Sequence, residues 1–164
     1  MQFSLVAAIS LLASAEAAHL WSKPAAKLVK AKAPAPSNYT WTVTGWSAGC
    51  ARAGCYYDFN VSAPAFSDSV PAFNAYCSGF GEGAPYDECE ILDDDASVRQ
   101  VSARLEAVNT TGTGAHLAVS YEFADPKAQG TYWNYTAHAV SSYNQFVSPV
   151  LTFSMSPTEI WGVA

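Results

Sequence analysis

From residue 39 onward, apolar and polar positions alternate along most of the chain. Tyr39, Trp41 and Val43 alternate with Thr40, Thr42 and Thr44; further on, Cys55, Tyr57, Phe59 and Val61 alternate with Tyr56, Asp58, Asn60 and Ser62. A period of two in aromatic and β-branched residues predicts two half-buried strands. The segment between them, SAGCARAG, is rich in Gly and Ala and carries Cys50 and Cys55, which predicts a hairpin connection that a disulfide can staple. The same period recurs over 72–77, where Phe73, Ala75 and Cys77 share one phase, and over 99–108 through Val101, Ala103 and Leu105. It is cleanest over 115–123, with Leu117, Val119, Tyr121 and Phe123 on one side and His116, Ser120 and Glu122 on the other. Residues 131–140 repeat it, and a last pair of strands is expected near 149–155 and 159–163. The Pro-bounded connection 63–71 has room for one helical turn. Eight or nine short strands with turns every ten or so residues and no long helix predict an all-β fold: a compact, single-domain antiparallel β-barrel or sandwich.

The N-terminus breaks this pattern. An apolar run over 3–12 followed by the small residues ASAEAA has the plan of a secretory signal peptide, with Ala15 and Ala17 fitting a cleavage site, so residues 1–17 are read as a signal. About ten apolar residues fall short of the roughly 20 that a membrane-crossing helix needs, so no membrane anchor is expected. Residues 18–37, rich in Ala, Lys and Pro, read as a flexible leader, although a short amphipathic helix over 25–32 is conceivable. The folded domain is then 38–164, and the protein is expected to be secreted and extracellular.

Charge sharpens the division. Net charge is −6, yet Lys23, Lys27, Lys30 and Lys32 all lie in the leader, leaving 13 acidic residues against Arg52, Arg99, Arg104 and Lys127 in the domain, about −9. A surface that acidic repels phosphate backbones, so nucleic acid is not an expected partner. Four cysteines in a secreted chain imply two disulfides and allow three pairings. The chain-entropy model gives about 2 kcal/mol for Cys50–Cys55, about 3 for Cys77–Cys89 and about 3.5 for Cys50–Cys77, which does not choose between them. Locality favours Cys50–Cys55 with Cys77–Cys89; the alternative is Cys55–Cys77 inside the core, since both fall in apolar phases. Their spacing is not that of a zinc site, and no histidine lies near them. The acidic run 87–95 lacks the alternation, glycine and distal Glu of a calcium loop and reads as a solvated loop. No metal and no cofactor are expected.

Asn38, Asn60, Asn109 and Asn134 each begin an N-x-[ST] sequon, at outward or strand-end positions where a glycan fits. His116 and His138 are both in outward phases. A base with an orienting acid could be drawn from them with Glu122 or Asp58, but no nucleophile motif completes it. A glycosidase pair from Asp58, Glu106 and Glu122 would require a cleft and a raised pKa. No catalytic residue is assigned, and the chain is read as not an enzyme. Aromatic residues make up 13% of the sequence and concentrate in the strands, where most would fill the core. Trp46, Tyr56, Tyr76, Tyr132 and Trp161 are the candidates for a binding surface, since Tyr and Trp are preferred interface anchors.

The succession of a signal peptide, YTWTVTGW, YYDFNVSA, FNAYCSG with a second cysteine about a dozen residues on, and strands ending in TYWNYTAHAV resembles the Alternaria major allergen-like family of small secreted fungal β-barrel proteins, which includes hypersensitive-response-inducing elicitors. The likeness covers roughly 38–140. It implies a compact β-barrel, a Cys77–Cys89 bridge, and a non-enzymatic effector, elicitor or allergen role exerted by binding a host protein or cell-surface component. Cys50 and Cys55 depart from the family's pattern. Its C-terminal cysteine pair and its dimer-forming cysteine have no counterpart, so no covalent dimer is expected. A carrier of small aromatic, flavonoid-like ligands is the second reading, and a secreted hydrolase the least favoured.

Overall fold

In the computed structural model, the residues described are 28–29, 36, 38–94, 99–107, 114–145 and 150–163. They form eleven strands: β1 (Leu28–Val29), β2 (Trp41–Ala51), β3 (Gly54–Ala63), β4 (Phe73–Phe80), β5 (Asp87–Glu88), β6 (Glu90–Ile91), β7 (Arg99–Leu105), β8 (Ala115–Ala124), β9 (Tyr132–Ser141), β10 (Leu151–Met155) and β11 (Pro157–Val163). Eight of these are five residues or longer. The expected helical turn is a short 3-10 segment, Ser67–Ser69.

The strands make two antiparallel sheets, β1-β11-β9-β8-β7-β5 and β10-β2-β3-β4-β6. Both junctions between them are strands that change sheet. At the first, β5 pairs with β7 and β6 with β4, with only Cys89 between. The Cys89 N–H donates to the Val101 carbonyl at 2.9 Å, while its sulfur is bonded to Cys77 of β4. At the second, β10 pairs with β2 and β11 with β9, with only Ser156 between. Read around the molecule, β2, β3 and β4 are followed by the β6/β5 corner, then by β7, β8 and β9, then by the β11/β10 corner, and β10 returns to β2. This closure leaves few exposed sheet edges. β1 covers the remaining edge of β11, so two residues of the segment read as a leader form a strand rather than part of a helix.

Alternation decides what fills the interior. Leu117 is fully buried and Phe123 only 1% exposed, as their phase requires. Rings interlock across the core: Trp41 meets Phe73 edge-on with centroids 5.3 Å apart, Phe73 meets Tyr121 at 4.3 Å, and Tyr121 stacks on Phe123 at 4.9 Å. Such pairs each add about 0.5–1.5 kcal/mol beyond burial. Two of the buried phenols reach backbone acceptors across the core. Tyr57 Oη donates to the Ala103 carbonyl at 2.7 Å and Tyr121 Oη to that of Pro71 at 3.1 Å.

The two disulfides are Cys50–Cys55 and Cys77–Cys89. The first differs from expectation in its setting. The strands run on through SAGCARAG, so Cys50 and Cys55 are directly paired across β2 and β3 with Cα atoms 3.9 Å apart, and the turn is confined to 51–54.

Trp46 is the correction to the expected binding surface. Strict alternation from Trp41 and Val43 would turn it outward, but it is fully buried. The register explains this: Thr44 pairs with Asn60 and Ser47 with Asp58, so Gly45 and Trp46 together oppose Phe59 alone. Gly45, at φ +67°, supplies the left-handed residue of a β-bulge, and the extra residue resets the phase. Asn144 then substitutes for a pairing strand along this part of β2. Its side chain accepts from the Ala48 N–H at 2.9 Å and donates to the Trp46 carbonyl at 2.7 Å, while its own N–H donates to the Ala48 carbonyl at 2.8 Å. The Trp46 indole N–H donates to the Ser142 carbonyl at 2.9 Å.

Candidate binding surfaces on the two outer faces

On the outer face of β3 and β4, register places Tyr56 opposite Phe80, Asp58 opposite Ser78 and Asn60 opposite Tyr76. Phe80 is 55% exposed and Tyr76 38%, and a shallow hollow links Tyr56, Asp58, Tyr76 and Phe80 with the carboxylates of Asp87 and Glu88. Two glycines shape it. A side chain at Gly54 would strike the Phe80 ring at 2.8 Å, and one at Gly79 would strike the Tyr57 phenol and the Asp87 carboxylate. Aromatic faces ringed by carboxylates attract ammonium and guanidinium groups through both the ring quadrupole and net charge.

The other sheet carries a groove of about 380 Å³ on its outer face. Its floor is set by register: Ser102, Ser120 and Thr136 form one row across β7, β8 and β9, and Gln100, Glu122 and Asn134 the next. Trp161 on β11 stands directly opposite Asn134, at one margin, and Tyr86 stands at the other. Asn134 Oδ1 accepts from Ser120 Oγ at 3.0 Å and from Thr136 Oγ1 at 3.1 Å. Beside the groove lies an ionic cluster. Arg104 is 3.4 Å from Glu106 and 4.5 Å above the Tyr86 ring. His138 Nδ1 lies 3.1 Å from Glu106 Oε2, and its Nε2 lies 3.7 Å from Glu159 Oε1. Burial raises the Tyr86 hydroxyl above the usual phenol pKa, with Arg104 pulling it down and Glu106 and Glu159 pushing it up.

This arrangement does not assemble the acid–base sets considered from sequence. Both nitrogens of His138 face carboxylates, so neither is turned toward a hydroxyl nucleophile. His116 lies opposite Val140, six residues or about 20 Å along β8 from Glu122. Asp58 is on the other sheet from Glu106 and Glu122. Cys50, Cys55 and Glu82 come together in space, but the two sulfurs are bonded to each other and leave no thiolate for a metal. Tyr143 donates to the Glu82 carboxylate nearby, and burial followed by that carboxylate raises its pKa.

The proposed surface residues therefore separate. Tyr56 and Tyr76 share the β3–β4 face, Trp161 lines the groove of the other sheet, and Tyr132, 48% exposed, lies by Pro71, Arg99 and Lys127 in a third place. Trp46 is interior. Of the sequons, Asn38 is exposed, Asn60 and Asn134 are half-buried on outer faces, and Asn109 lies outside the described residues. Phe80 and Tyr86 were not foreseen. Phe80 continues the outward phase of Asn74, Tyr76 and Ser78 and was within reach of the alternation; Tyr86 sits in a turn that periodicity does not address. No family model matches the chain, and no curated protein or solved structure matches it.

Proposed function

We propose that the protein is a secreted, non-enzymatic binding protein of effector or elicitor kind, which engages a host protein or cell-surface component through the outer face of β3 and β4. The observation that carries this reading is the set of exposed rings, Tyr76 and Phe80, beside Asp58, Asp87 and Glu88 on an acidic domain. The chemistry favours a partner that presents lysine or arginine side chains. Secretion draws support from two disulfides, which persist in oxidising compartments, and from the N-terminal pattern. No helix among the described residues is long and apolar enough to cross a membrane. The carrier reading draws less support, because Trp41, Phe59, Phe73, Tyr121 and Phe123 occupy the barrel interior.

The test compares wild-type protein with Phe80→Ser and with the double reversal Asp87→Lys/Glu88→Lys, in capture from host apoplastic fluid and in leaf infiltration. Binding that falls at least tenfold in both variants and weakens with added salt is expected. Capture and tissue response unaltered by either variant would reject this face as the binding surface.

A further inference from the structure

Asn134 sits in the floor of the groove, and its amide is oriented. Oδ1 accepts from two hydroxyls, whereas Nδ2 makes no hydrogen bond among the described residues. Asn134-Tyr135-Thr136 is a sequon, and Nδ2 is the atom that a glycan takes. Trp161 is its cross-strand neighbour on the same face, which puts Cβ atoms about 4.5–5.5 Å apart. A pyranose has apolar C–H faces and hydroxyl edges, and the groove offers an indole wall above a floor of Ser, Thr and Asn side chains.

We propose that Asn134 carries an N-linked glycan whose first sugar lies in this groove against the Trp161 indole, so that the groove is filled by the chain's own modification. The proposal rests on the secretory reading above. In the step itself, Nδ2 attacks the anomeric carbon of a lipid-linked pyrophosphate oligosaccharide. The N–C bond forms, the lipid pyrophosphate leaves, and the amide nitrogen gives up one proton. Thr136 keeps its place beside Asn134 in the folded chain. Asn60 is the internal contrast: it also faces an aromatic ring, Tyr76, but on an open face without a second wall.

The experiment expresses the chain with its own N-terminus in a yeast host and maps occupancy of the sequons by glycopeptide mass spectrometry. A triple variant, Asn38→Gln/Asn60→Gln/Asn109→Gln, isolates Asn134. Its melting temperature, with the glycan and in the same chain refolded without it, is then measured with Trp161, with Trp161→Phe and with Trp161→Ala. The glycan is expected to raise the midpoint by about 2–4 °C with either ring and to have no effect with alanine. If Trp161→Ala does not fold, iodide quenching of tryptophan fluorescence takes its place, and less quenching with the glycan present is expected. Equal shifts in all backgrounds, or unchanged quenching, would overturn the proposal. Occupied Asn38 and Asn60 with an empty Asn134 would overturn it while leaving secretion intact. No occupied sequon at all would remove both.

Discussion

The two disulfides differ in where they act, which makes their removal a quantitative test of the barrel's construction. Cys77–Cys89 spans 12 residues, is buried at both ends and ties β4 to the residue at which the chain passes from one sheet to the other. Cys50–Cys55 spans five residues at the exposed tip of a hairpin whose register is already set by eight paired positions. Chain entropy assigns about 3 kcal/mol to the first and about 2 to the second. The hairpin pairing lowers the second figure, because part of that loop closure is made by the strands themselves. The first figure rises, since loss of two buried sulfurs leaves space in a packed region. Cys77→Ala/Cys89→Ala should therefore cost 3 kcal/mol or more, on the order of a 1.5 M fall in urea midpoint at a slope of about 2 kcal/mol/M. Cys50→Ala/Cys55→Ala should cost about 2 kcal/mol or less. Equilibrium urea unfolding followed by tryptophan fluorescence measures both. Equal losses, or a larger loss for the hairpin pair, would refute the reasoning that the sheet-changing corner depends on its bridge.

Three further outcomes follow from buried polar groups. Tyr57→Phe removes a buried hydrogen bond to the Ala103 carbonyl and should cost about 1–2 kcal/mol, whereas Tyr39→Phe should be neutral or stabilising by up to about 1 kcal/mol, because the buried Tyr39 hydroxyl makes no well-formed hydrogen bond. Thermal or urea denaturation of the two variants side by side gives the comparison. Asn144→Ala strands the Ala48 N–H and the Trp46 carbonyl and should cost about 2–4 kcal/mol, with Asn144→Asp recovering only the first contact; urea midpoints read this directly. At high pH, burial holds the Tyr39 hydroxyl up to about 12 and raises Tyr57 and Tyr121 further in the same direction. The unfolded chain loses these protons near pH 10, so it binds fewer protons than the folded state above that pH. Stability contributed by these groups is thus whole below pH 10 and lost from about 10 to 12 and beyond, by up to about 1.4 kcal/mol per pH unit for each group. A native-state phenol titration at 295 nm that shows every tyrosine ionising near pH 10 would contradict this.

Much of the barrel was legible because its strands obey a single rule. Leu117, Val119, Tyr121 and Phe123 on β8, and Phe73, Ala75 and Cys77 on β4, went inward as their phase demands. The rule failed where one residue was inserted: Gly45 shifts everything after it on β2, and Trp46, two positions beyond Thr44, changed sides. Nothing local to Asn144 marks it as a substitute strand, because its partners lie almost a hundred residues away. The charge of the acidic run 87–95 suggests a solvated loop, but the run contributes two short strands, β5 and β6. Its third residue, Cys89, is buried at the corner, while Asp87, Glu88 and Glu90 around it are exposed. The candidate surfaces were less legible than the core. Cross-strand register, which single-strand periodicity does not supply, brings Phe80 beside Tyr56 and Trp161 beside Asn134.

The pairing of Leu151 with Trp46 joins positions more than a hundred residues apart, and the same β10–β11 ribbon completes both sheets. During synthesis, β2 and β9 must therefore wait with one flank open until β10 and β11 have been made. Loop-closure entropy makes such distant pairing slow. Closure of the two sheets waits on β10 and β11, and a chain interrupted before them exposes two ready templates for self-association.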